Sequence, residues 1–94
     1  MNTTRNQVLI EATRLESFLA NNQLVQAHAI AQKLENMLQR AITEDIAQSK
    51  TKAEEHRYWH IFRAAIRAKT RILVGNTEDA LNEAKLILQT IKKE

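Results

Sequence analysis

Hydrophobic residues recur at intervals of three and four along most of this chain, which is the spacing of one face of an α-helix. The first such segment covers about residues 5–20, and its apolar face comprises Val8, Ala12, Leu15 and Leu19. Thr4 and Gln7 have the spacing of a capping box, which predicts the start of this helix. The pair Asn21-Asn22 predicts its end, because asparagine tolerates the left-handed backbone conformations of tight turns.

The second segment begins near Gln23 and follows a strict seven-residue repeat. The repeat is formed by Leu24, Ala27, Ala31, Leu34, Leu38 and Ala41. Ile30 and Met37 widen this seam. A seam this strict is narrower than a monomeric core requires, so it points to a protein-partner surface or a homodimer.

The end of the second helix has two alternatives. Thr43, followed by two carboxylates, has the character of a new helix N-terminus. Otherwise one long helix continues to Gln48. A third helix is predicted to open at Thr51, which forms a second capping box with Glu54, and to reach about Val74.

The fourth helix follows a glycine. Gly75 is placed where a helix C-terminus favours a left-handed residue, and Asn76 or Thr77 caps the next helix. The inner face of that helix comprises Ala80, Ala84, Ile87 and Ile91. The sequence therefore predicts one all-α domain of four helices in two antiparallel hairpins, about 5–48 and 52–93, packed as a small bundle or a two-unit layer.

The two hairpin turns are similar to each other. Residues 22–27 and 75–80 each end in an alanine, which is followed by another alanine four positions on and an aliphatic residue three further. This pattern resembles the helix A–turn–helix B unit of tetratricopeptide repeats, whose turn reads G-[ND]-x-x-x-A. The two copies are 53 residues apart rather than 34, and the Trp, Tyr and Pro positions of the family are not filled. The resemblance implies a helical hairpin that docks peptides or helices.

Composition excludes several classes of protein. The 94 residues include one Gly, no Pro and no Cys, which rules out a disulfide framework, a thiolate zinc site and a glycine-rich phosphate loop. No apolar run reaches the length of a membrane span, and no signal-peptide core follows the polar start. We therefore expect a cytoplasmic protein that has no membrane partner.

Charge is unevenly distributed. Residues 50–71 include seven basic and two acidic residues, a net charge of +5, whereas residues 1–47 include four basic and five acidic, a net charge of −1. At 100° per residue, five basic side chains of the third helix fall within about 80° of one another: His56, His60, Arg63, Arg67 and Arg71. Its large apolar residues are predicted to be buried on roughly the opposite side: Trp59, Phe62, Ile66 and Leu73, with Tyr58 and Ala65 beside them.

A basic face of this kind has three interpretations: contact with nucleic-acid phosphates, contact with an acidic protein, or simple solvation. The candidate contacts are His56, Arg57, His60, Arg63, Arg67 and Arg71, to which a phosphate-binding surface would add Lys50, Lys52 and Lys69. Because the aromatic residues are predicted to be buried, stacking on single-stranded bases is disfavoured.

No pattern indicates catalysis or a cofactor. His56 and His60 are spaced to share a metal ion, but a third ligand is missing, and Arg57 occupies the position where a zincin has glutamate. The carboxylate pairs at 44–45 and 78–79 are explained by the preference of helix N-termini for negative charge. We therefore predict no enzyme activity, no metal site and no cofactor.

Four apolar residues fall off the predicted core faces or at their edges: Ile10, Phe18, Val25 and Leu86. On so small a bundle they predict an interface with a protein partner or a second copy of the chain. The sequence thus favours a small interaction protein, adaptor or modulator that binds through these residues and the basic face. The alternatives are a nucleic-acid-binding protein and a phage- or plasmid-type modulator of a host enzyme such as a nuclease.

Overall fold

Four helices account for most of the computed structural model, which describes residues 3–49 and 52–93. They are α1 (Thr3–Ala20), α2 (Leu24–Ser49), α3 (Trp59–Leu73) and α4 (Thr77–Lys92), with one 3₁₀ turn at Ala53–Glu55. α1 contacts α2, α2 contacts α3, α3 contacts α4, and α4 contacts α1. This closed ring of about 40 × 26 × 18 Å confirms the predicted all-α bundle, and the α1–α4 contact excludes an open two-unit layer. No helix within the described ranges combines the length and the apolar character that crossing a membrane requires.

The two tight turns share one hydrogen-bonding pattern. Asn22 and Gly75 adopt left-handed conformations, with φ of 58° and 79°. The N–H of each donates to the carbonyl three residues earlier at 3.1 Å, and the N–H of the next residue donates to the carbonyl five residues earlier at 2.8 Å. Both turns are therefore Schellman motifs, which confirms the turns predicted at these residues and explains the sequence similarity between them.

In the first hairpin, one predicted helix boundary is wrong and one open alternative is settled. α1 begins at Thr3, so Thr4 lies inside the helix rather than at its cap. α2 is continuous through Thr43, which settles the open alternative in favour of one long helix. The reason is tertiary packing: Ile42 is buried and Ile46 packs against the core, so the apolar face continues past the polar residues at 43–45.

The core faces predicted for α1 and α4 are buried, as are four members of the α2 seam: Ala27, Ala31, Leu34 and Leu38. Leu24 and Ala41, the remaining members, pack against the core. The α2 seam is therefore occupied by the bundle itself, and the prediction that it provides a surface for a partner or a second copy is wrong.

The third helix starts later than predicted. α3 begins at Trp59, and the predicted cap at Thr51 lies outside the described residues. The 3₁₀ turn ends before His56, whose backbone is extended (φ −69°, ψ 140°). His56 and Arg57 therefore precede α3 and do not belong to its helical face.

The buried face of α3 also differs from the prediction. It consists of Ile61, Ala64, Ala65, Ala68 and Ile72. Tyr58 and Ala65 are buried as predicted, but Trp59, Phe62 and Ile66 are only half-buried, and Leu73 is 69% exposed. α3 packs between α2 and α4, where small side chains allow the helices to approach closely, so its bulkiest residues lie outside.

The left-handed conformation at the second turn makes a testable contribution to stability. Gly75→Ala should lower the free energy of unfolding by about 1–2 kcal/mol, because an L-residue there brings its Cβ against a backbone carbonyl. A Cβ at this position meets no other atom within 4 Å, so the cost is purely conformational. Urea unfolding followed by far-UV circular dichroism measures it.

The matched control is Gly75→Asn, since asparagine already occupies the equivalent position at Asn22. This variant should lose clearly less stability than Gly75→Ala. Equal losses would contradict the conformational explanation.

Candidate functional site

The outward side of α3 displays two different stripes. The apolar stripe consists of Trp59, Phe62, Ile66 and Leu73, and the basic stripe consists of His60, Arg63, Arg67 and Arg71. At 100° per residue, the centres of these stripes and of the buried face are separated from one another by roughly 110–130°. The apolar stripe therefore adjoins the basic stripe and faces solvent in part, instead of lying opposite to it in the core.

The two stripes meet at an aromatic–cation contact. The Cζ of Arg63 lies 5.7 Å from the centroid of the Trp59 ring, within the range of a cation–π interaction. The ring of Phe62 lies 5.7 Å from that of Trp59 and is tilted by 43°. Among the described residues, no carboxylate forms an ion pair with Arg63. Its charge is therefore held at the edge of the apolar stripe without being neutralised.

Most other cations of α3 are paired with carboxylates of neighbouring helices. Arg67 Nε donates to Glu83 Oε2 at 2.6 Å, and Arg71 Nε lies 4.0 Å from Asp79 Oδ2. Lys69 Nζ lies 2.6 Å from Oε1 of Glu35 on α2. These ion pairs reduce the number of cations on α3 that are free to bind the phosphates of a nucleic acid.

The α4 pairs have a sequence signal. Arg67 and Glu83 each lie eight positions from Gly75, and Arg71 and Asp79 each lie four positions from it. In an antiparallel hairpin centred on that glycine, equidistant residues face each other. A helical wheel of α3 alone does not show these partners, because they lie on another helix.

His56 has a structural contact in place of the predicted surface role. Its Nδ1 accepts a hydrogen bond from the backbone N–H of Tyr58 at 3.0 Å, so the proton is on Nε2. Nε2 donates to Oδ2 of Asp45 at 2.6 Å. The ring thereby fixes the α2–α3 connector to the last turns of α2, which also gives Asp45 a role other than the predicted helix N-terminus.

His56 and His60 do not lie on one face of a helix, as sharing a metal ion would require, since His56 precedes α3. In residues 3–49 and 52–93, no group of three His, Asp or Glu side chains is arranged to hold a metal. Arg57 is exposed beside the connector, with its Cζ 4.9 Å from the centroid of the Tyr58 ring. Lys52 is exposed in the same connector, whereas Lys50 lies outside the described residues.

The four candidate apolar contacts do not form one surface. Leu86 is 41% exposed and lines a shallow α3–α4 groove of about 350 Å³ together with His60 and Arg67. Ile10 is 58% exposed but lines a different groove, between α1 and α2. Val25 is exposed in the first turn of α2, and Phe18 is half-buried against the core. Only Leu86 adjoins the basic stripe.

No protein-family model, curated protein or solved structure matches this chain. The resemblance to tetratricopeptide repeats thus rests on the two turn segments alone. The features of this chain that bear on function are those of the α3 surface itself.

The α4 carboxylates should limit binding to polyanions. The double change Asp79→Asn/Glu83→Gln frees Arg67 and Arg71, so affinity for a labelled DNA duplex at low salt should rise. The log–log salt slope should become steeper by about one to two, which corresponds to up to two further phosphates neutralised. Fluorescence anisotropy across a salt series measures both quantities.

The control is Glu16→Gln/Glu44→Gln, which changes the net charge equally on α1 and α2. If the control raised the affinity and the slope as much, net charge and not the pairing on α3 would be responsible.

Proposed function

We propose that this protein is a non-catalytic interaction protein, an adaptor or modulator, that binds a protein partner with the outward side of α3. The observation that carries the proposal is the apolar stripe beside the basic stripe on one helix. An apolar surface rimmed by charge is typical of a protein-binding site.

The composition of this surface supports protein binding. Trp and Arg are the residue types most enriched where interfaces concentrate their binding energy, and Trp59 and Arg63 are already in contact. The ring pair of Trp59 and Phe62 packs against the core, so it offers a rigid contact area that loses little entropy on binding.

The exposed apolar residues outside α3 give less support to the proposal of a protein-binding surface. Ile10 and Val25 lie on α1 and α2, away from the basic stripe. Scattered exposed residues of this kind are common on protein surfaces. Leu86 extends the α3 surface across the neighbouring groove, where it lies beside His60 and Arg67.

Nucleic-acid binding is the second candidate. Arg63 and Arg57 favour it, since neither forms an ion pair with a described carboxylate. The intramolecular pairs of Arg67, Lys69 and Arg71 weigh against it, because each phosphate contact must compete with a carboxylate.

Substitutions on two faces test the proposal. Affinity capture from cells that express the protein should recover a partner with wild type and with Ile10→Glu. Ile66→Glu or Leu73→Glu should weaken binding of that partner by about 2 kcal/mol or more, as expected when a charge replaces an apolar side chain that contributes strongly to an interface. Binding of the purified pair is measured by calorimetry, and circular dichroism verifies that each variant keeps its helix content.

Retention of the partner by both α3 variants would refute this surface. Association that disappears on nuclease treatment would favour the nucleic-acid candidate instead.

A further inference from the structure

The apolar stripe has the spacing of a surface that pairs with another helix. Its members at 59, 62, 66 and 73 are separated by three, four and seven positions, which is the spacing of a helix-pairing seam. The missing position is Lys69, whose ammonium group is held by Glu35 and Gln32 on α2. The stripe therefore spans the length of α3, about 22 Å for 15 residues.

Charge on α3 has one sign. The helix contains four cations, Arg63, Arg67, Lys69 and Arg71, and no carboxylate. The carboxylates that reach it come from its flanks, from α2 on one side and α4 on the other. Of these four cations, Arg63 is the one with no ion pair to a described carboxylate, so a segment that lies along the outward side can pair with it without displacing a carboxylate of this chain. Complementarity thus requires an occupant that is acidic beside its apolar residues.

A second copy of this chain does not satisfy that requirement. In a twofold dimer about α3, each partner contributes the same surface. Neither copy would bring a free carboxylate to the Arg63 of the other, because α3 itself has none and the described carboxylates that reach it are already paired with Arg67, Lys69 and Arg71.

A nucleic acid or an extended peptide would each form only some of the contacts that this surface offers. Phosphates could pair with Arg63, but a sugar–phosphate backbone offers little apolar surface to Ile66 and Leu73. A β-strand needs an edge of unpaired backbone groups. The backbone of α3 is already hydrogen-bonded within the helix. A helix provides apolar residues at the matching spacing and carboxylates alongside them.

We infer that the partner presents an acidic amphipathic α-helix, which lies along α3 with its apolar residues on the apolar stripe and its carboxylates beside Arg63. This inference rests on the proposed function and names the chemistry of the partner segment. Trp59, the sole tryptophan, lies at the N-terminal end of the apolar stripe and so reports on contact there.

A display library of helical peptides tests this choice. The probes are peptides of about 20 residues, long enough to form helix. Leucine is fixed at the seam positions, and the flanking positions are drawn equally from Glu, Lys and Gln. Peptides recovered by the immobilised full chain should favour Glu over Lys by about tenfold or more at the flanking positions.

Three variants locate the effect. Arg63→Glu should abolish or reverse the preference for Glu, and Ile66→Glu should recover no peptide above background. Arg40→Glu, an equal charge change at an exposed position of α2, should select as wild type does. A selected peptide should shift the fluorescence of Trp59 to shorter wavelength on binding, because the ring leaves water.

Recovery of Glu-rich and Lys-rich peptides in equal numbers would overturn the inference, as would recovery of none. Displacement of the peptides by duplex DNA, or a dimer that Ile66→Glu dissolves, would assign the surface to another occupant and overturn it too. If Ile66→Glu loses the cellular partner while the library shows no preference for Glu, the proposed function stands and this inference fails. If Ile66→Glu keeps that partner, the proposed function itself fails.

Discussion

Close approach of the helices at alanine positions is the constraint on which the rest of this structure depends. Eight alanines are completely buried, and they are contributed by all four helices: Ala12, Ala27, Ala31, Ala64, Ala65, Ala68, Ala80 and Ala84. Interiors are packed at the density of organic crystals, so a site shaped for a methyl group does not accept an indole or a phenyl ring. The alanines of α3 therefore determine which of its faces is internal, and Trp59 and Phe62 lie half-buried at the edge of the core as a result.

The same constraint explains how far the sequence predicts the fold. Helices α1, α2 and α4 each have one dominant set of apolar positions, and the buried residues there agree with the periodicity. α3 has two such sets, and periodicity alone does not choose between them. Side-chain size decides the choice: the set with Ala64 and Ala68 fits between two neighbouring helices, whereas the set with Trp59 and Phe62 does not.

The candidate site is less predictable, because it depends on contacts between helices. The sequence predicts which cations α3 carries. A projection of this one helix does not show that Glu83 of α4 and Glu35 of α2 pair with two of them. The start of α3 is not predictable from the sequence for a similar reason. Residues before Trp59 have good helix propensity, yet the hydrogen bonds of His56 to Asp45 and Tyr58 hold an extended backbone there. The turns were predictable because Asn22 and Gly75 act through their own backbone conformations.

The ring of helices also has a consequence for the order of folding. Three of its four interfaces join helices that are consecutive in the chain, so they close short loops. The contact of α1 with α4 joins segments separated by most of the chain, and closing that long loop has the larger entropic cost. A contact order dominated by the local hairpins favours rapid folding, on the microsecond to millisecond scale of small helical bundles. Docking of α4 on α1 is then the step that closes the ring, after the α2–α3 interface has joined the two hairpins.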